Sequence, residues 1–195
     1  MKNPKITLPL ALSVSAALLL TVSLDASAAN AEPNFNRIAS FPTYKNMPAG
    51  GDRNKETSAE IIDVTADGMT LIYTDSPQKA VGLIGIKNPN NPTPLGNIKV
   101  DGEPTSVVVI GRTAYVGVNT STSYKNPSGK LVVIDIDSKS IKLTCDIGGQ
   151  PDALAAAKDG SFISIAVENE RDEDLNNGEI HKLLTSRPLF GNFLL

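Results

Sequence analysis

The 195-residue chain has a formal net charge of -3, with 15 Gly, 13 Pro, one Cys, one His and no Trp. That balance describes one loop-rich domain and offers no basic patch for nucleic acid. A lone cysteine excludes an internal disulfide and a His-poor chain excludes a His-built metal cluster.

The N-terminal stretch "MKNPKITLPLALSVSAALLLTVSLDASAANAE" places Lys2 and Lys5 before an apolar run and ends it in Ala26, Ser27, Ala28 and Ala29. This is the three-part pattern of a secretory signal, and residues 1–31 are set aside from the fold. An uncleaved anchor is the competing reading; Ser and Thr within the run and the A-x-A site speak against it. Cleavage after Ala28 or Ala31 gives an exported protein, periplasmic or extracellular, with no membrane span in the mature chain. In such a compartment Cys145 is expected to be a small buried hydrophobe.

Residues 32–57 form a lead-in dense in Gly, Pro, Asn and charge, with one strand candidate, "NRIASF". That candidate is expected to be an outer strand that helps close a ring.

From Ser58 onward the chain repeats. Units covering residues 58–103, 104–150 and 151–180 begin at Ser58, Pro104 and Pro151. Each gives an apolar run, a turn at Asp67-Gly68, Gly111-Arg112 or Asp159-Gly160, and a second run. Such turns join antiparallel strands. The first two units continue with a third run, "AVGLIGI" or "KLVVIDI", and a fourth, "PLGNIKV" or "SIKLTCDI". The runs are short and rich in Val, Ile and Thr, and no helical spacing is sustained. The expectation is an all-β fold: an incomplete β-propeller of four-stranded antiparallel blades, with two full blades and a partial third. A single β-sandwich is the competing arrangement.

The runs "PTSVVV", "YVGVN" and "LVVIDID" resemble exported bacterial propellers with the YVTN-type repeat. Within that group, "SAEIIDVTADGMTLIYTDS" and "DGSFISIAVENERDE" resemble phytase-like esterases and calcium-dependent alkaline phosphatases of choice-of-anchor type. The resemblance implies a seven-bladed ring that hydrolyses small-molecule phosphoesters or esters with bound metal. This chain departs from it after residue 180, where "GKLVVIDI" should recur and "IHKLLTSRPLFGNFLL" follows. Residues 181–195 are read as an off-pattern tail whose apolar side chains have no core to enter. A truncated or frame-shifted copy of a longer protein is one reading; a short partner that completes a ring by association is the other. Both leave sheet edges that favour pairing with another chain.

The loops between second and third strands share a propeller face with the connections into each innermost strand. That face is expected to gather Glu60, Asp75, Ser76, the "NTSTSYKNPSG" loop, Glu103, Gln150 and the acidic loop that follows "SFISIAV". In an extended segment Glu168, Glu170, Asp172 and Asp174 fall on one side, an oxygen-rich set suited to calcium. Glu168, Glu170 and Asp172 are the candidate metal ligands, Arg171 the anion contact and Glu60 a general base or metal ligand. The competing readings are a solvated acidic loop, an Arg171 paired with its neighbours, and an ordinary strand-end Glu60. An EF-hand is excluded, because counting from Asp172 puts Asn177 where the loop needs Gly. No G-x-S-x-G elbow or phosphate-binding G-x-x-x-x-G-K occurs, and the single His181 lies in the tail. Two functions therefore stand: metal-assisted hydrolysis with Glu60 and Arg171 as its catalytic residues, and a non-catalytic binding or scaffolding module.

Overall fold

A computed structural model of the chain describes residues 36–168 and the short strand Phe193–Leu194. The fold is all-β, as the periodicity requires, with a single 3-10 turn at Thr43–Asn46 as its only helical element among the described residues. The first sheet runs β1 (Ile62–Val64), β2 (Thr70–Asp75), β3 (Ala80–Gly85), β4 (Thr93–Lys99) in that order. The second runs β5 (Glu103–Ile110), β6 (Thr113–Asn119), β7 (Gly129–Asp135), β8 (Ser140–Asp146). The third holds β9 (Gln150–Ala156), β10 (Phe162–Glu168) and β11 (Phe193–Leu194). All pairings are antiparallel between neighbours, which is the arrangement of incomplete propeller blades.

The hairpin turns fall where the repeats predict them. In the first and third sheets the turn aspartate closes the loop: Asp67 Oδ1 accepts from the Met69 N–H at 2.9 Å, and Asp159 Oδ1 from the Ser161 N–H at 3.1 Å. This side-chain mimicry of a backbone turn is why Asp precedes Gly at both sites.

The middle strands read as continuous apolar runs because both of their faces are covered. Along β6, Ala114, Val116 and Val118 enter a core shared with the first sheet, while Tyr115 faces the third. β7 alternates in the same way, with Val132 and Ile134 on one side and Leu131 on the other. Period two thus sends successive residues into two different cores, and each fully buried Val or Ile contributes roughly 1.5–3 kcal/mol. Polar contacts stitch the sheets together: Asp63 Oδ2 accepts from the Val109 N–H at 2.7 Å, and Ser106 Oγ from the Leu154 N–H at 3.0 Å.

Two expectations need correction. "NRIASF" forms no strand; the lead-in instead turns at Thr43–Asn46 and inserts Asn46 and Met47 against the outer face of the first sheet. Asn46, 2% exposed, donates to the Tyr73 hydroxyl at 3.0 Å and to the Leu83 carbonyl at 2.9 Å, and accepts from the Gly96 N–H at 3.0 Å. The Tyr73 ring packs against Gly82, where any β-carbon would overlap it. A polar plug is satisfied here without a partner strand, so the segment covers a face rather than extending a sheet.

Of residues 181–195, only one short strand lies among the described residues. Phe193 and Leu194 pair with Ile163 and Phe162, so β11 stands beside β10 in the position of a blade's third strand. Finally, Cys145 is only half-buried. It shares with Leu143, 54% exposed, the face of β8 that a complete third blade would cover, whereas Ile98, the residue on β4 that corresponds to Cys145, is 8% exposed.

Candidate functional site

One face of the molecule collects the β2–β3 and β6–β7 loops with the connections into β5 and β9. Gly102, in the first of these connections, has φ +137°, and a β-carbon there would strike the Asn119 carbonyl. Its absence lets the connection lie against the end of β6.

Glu60 sits just before β1, exposed. Its Oε1 accepts from the Ser58 hydroxyl at 2.9 Å, and its Oε2 lies 2.6 Å from Ser76 Oγ. The Ser76 hydroxyl also lies 2.8 Å from the Pro104 carbonyl, so it links the first sheet to the second. Asp75 ends β2, buried, with Oδ1 accepting from the N–H groups of Ser58 at 3.1 Å and Gln78 at 3.3 Å. Burial pushes the Asp75 carboxyl above its ordinary range; those two hydrogen bonds and Lys99 oppose the shift, and the Glu60 charge adds to it.

Beyond Ser76 the face opens into two adjoining clefts. One, of about 490 Å³, lies among Lys79, Asp101, Glu103, Asn119, Thr120 and Lys130. The other, of about 390 Å³, lies among Glu103, Thr105, Ser121, Thr122, Ser123, Tyr124 and Gln150. They share Glu103, Asn119 and Ser121. Lys130 Nζ holds Asp101 at 3.0 Å.

The loop that walls both clefts is fixed by its own polar residues. Asn119 Oδ1 accepts from the Ser121 N–H at 2.9 Å, Ser121 Oγ accepts from the Ser128 N–H at 2.9 Å, and the hydroxyls of Thr120 and Ser128 are 2.8 Å apart. Ser, Thr and Asn are frequent in such loops because their side chains replace ladder hydrogen bonds.

Glu60, Asp75, Ser76, Glu103 and Gln150 therefore share the expected face. Glu168 closes β10 opposite Gln150 and is exposed. Glu170, Arg171 and Asp172 lie outside the described residues. Calcium, which the family resemblance implies, takes six to eight oxygen ligands. The described residues do not fit that demand: no group of three or more His, Cys, Asp or Glu converges among them. The Glu60 carboxylate is instead held by two serines. Sequence reasoning missed the Ser76 bridge, the Lys130–Asp101 pair and the Asn46 plug, all contacts between distant segments with no local signal.

Fold and rim define a class: an all-β repeat protein of propeller-like blades that presents its polar loops on one face. Residues 60–182 match the Choice-of-anchor I domain family, and the chain belongs to that family. Membership goes with an exported or cell-surface protein. No helix among the described residues is long and apolar enough to cross a membrane. Among solved structures, hydrazine synthase of Kuenenia stuttgartiensis is 22% identical, with 56% of this chain and 29% of that one covered and a TM-score of 0.45. A functionally unknown protein from Desulfotomaculum acetoxidans DSM 771 is 19% identical, with 62% and 38% covered and a TM-score of 0.44. The chain spans well under half the length of either structure. No curated protein matches it. The choice-of-anchor part of the resemblance holds; its esterase and phosphatase part receives no support from these matches.

Proposed function

We propose that this chain is a non-catalytic module of an exported protein that meets its partner through the polar rim. The observation that carries this reading is the pair of adjoining clefts, whose wall is a loop already held in place by its own hydrogen bonds. A wall ordered before binding loses little entropy when a ligand arrives. Beyond Ile163 this edge of β10 pairs with no other strand among the described residues, which favours, in addition, pairing with another chain.

The test is direct. Purified chain given p-nitrophenyl phosphate or p-nitrophenyl acetate with millimolar calcium is expected to stay at background. Turnover above background that Glu60→Gln abolishes would overturn the module reading.

The 2.6 Å approach of Ser76 Oγ to Glu60 Oε2 favours a second reading, hydrolysis of a phosphoester or ester. There Glu60 serves as proton acceptor, Arg171 contacts the anion, and Glu168, Glu170 and Asp172 supply oxygens to calcium. The Pro104 carbonyl competes for the same Ser76 proton, which weakens that assignment.

A further inference from the structure

We infer that the two clefts receive a neutral, polyhydroxylated ligand, a saccharide chain lying along the rim; this rests on the module reading and narrows its partner. The clefts adjoin along the rim, with Glu103, Asn119 and Ser121 lining both, so one extended ligand can reach the two together. Each volume, about 490 and about 390 Å³, lies within the range of small-molecule sites.

The chemistry of the lining excludes other ligand classes. An apolar ligand finds only Val100 in one cleft and the Tyr124 ring in the other. A polyanion finds Lys130 already paired with Asp101, and the two lysines of the lining matched in number by Asp101 and Glu103, so no excess of positive charge gathers. What remains is an array of planar acceptors and donors beside hydroxyls. The Glu103 carboxylate makes no side-chain hydrogen bond or ion pair among the described residues. Asn119 uses its oxygen on the Ser121 N–H, which leaves its two amide hydrogens for a ligand. A vicinal pair of sugar hydroxyls can donate to the carboxylate and accept from the amide together.

Tyr124 supplies the remaining element. The residue is 51% exposed at the cleft margin, on a segment braced by the Asn126 N–H donating to the Ser123 carbonyl at 3.0 Å. An exposed, rigidly carried aromatic presents a flat apolar face and a polar tip, which matches the C–H face and hydroxyl rim of a sugar ring.

The purified chain is run in native gels containing a soluble β-glucan, a xylan, a galactomannan or heparin, and the retarding glycan's hexasaccharide is then titrated calorimetrically. The expected result is retardation by at least one neutral polysaccharide that persists at about 0.5 M salt, since few charges are involved. Tyr124→Ala and Glu103→Ala should each weaken binding about tenfold or more without lowering the melting temperature, because both side chains are exposed. Failure of all three neutral glycans to retard, equal retardation of Tyr124→Ala, or salt-sensitive retardation by heparin alone would overturn the saccharide. Those outcomes with background hydrolysis leave the module reading intact, whereas Glu60-dependent turnover removes both.

Discussion

Replacing Asn46 by Ala should destabilise the domain although the residue lies outside every strand. The substitution removes three hydrogen bonds at a buried position, and leaves the Tyr73 hydroxyl, the Leu83 carbonyl and the Gly96 N–H without their partner. At roughly 0.5–1.5 kcal/mol for each bond, the expected loss is about 2–4 kcal/mol. Urea unfolding followed by tyrosine fluorescence measures it as a lower midpoint with an unchanged slope. Tyr73→Phe removes only the hydroxyl and should cost about 1 kcal/mol. The Asn46→Ala/Tyr73→Phe double variant should then lose less than the two singles together, by about 0.5–1.5 kcal/mol, because both break the same contact. An Asn46→Ala protein within about 0.5 kcal/mol of the parent, or strict additivity with Tyr73→Phe, would refute the plug.

Gly82→Ala should be worse than a typical strand substitution, by about 2 kcal/mol or more, because its methyl overlaps the Tyr73 ring, which the lead-in residue Asn46 holds from the other side; thermal melting checks it. Ile98→Ala should cost about 2–4 kcal/mol and Leu143→Ala less than about 1 kcal/mol, although the two residues occupy corresponding strands. Equal losses in denaturant melts would mean that the outer face of β8 is covered in solution. Asp75→Asn keeps an oxygen for the Ser58 and Gln78 N–H groups and removes a buried charge. Because the folded carboxyl is raised, the parent loses stability as pH climbs through that raised value, while below the ordinary 3.8 the aspartate is neutral in both states. The variant should therefore gain on the parent at neutral pH, and the gain should vanish in acid. Asp67, Asp135 and Asp159 shift the opposite way through their turn hydrogen bonds, so only the difference between variant and parent isolates Asp75.

The sequence by itself determined the units. Period-two apolar runs and turns at Asp67-Gly68, Gly111-Arg112 and Asp159-Gly160 follow from local sterics and hydrogen bonding, so the strands and their antiparallel order were legible. Glu60, Asp75, Glu103 and Gln150 could be assigned to one face because their places in the repeat fix which end of a strand they occupy. Contacts between units were not legible. Ser76 reaches Pro104, Lys130 reaches Asp101, and Asn46 reaches Leu83 and Gly96, across 28, 29, 37 and 50 residues. No local propensity encodes such pairs, since each depends on how whole sheets stack. Tertiary structure alone turned the lead-in from an expected strand into a plug, brought β11 beside β10, and left Leu143 open to water while Ile98 is covered. The reason is the same in each case: a blade's face has no stable state until something lies against it, and what lies there is decided by the neighbouring element rather than by the strand.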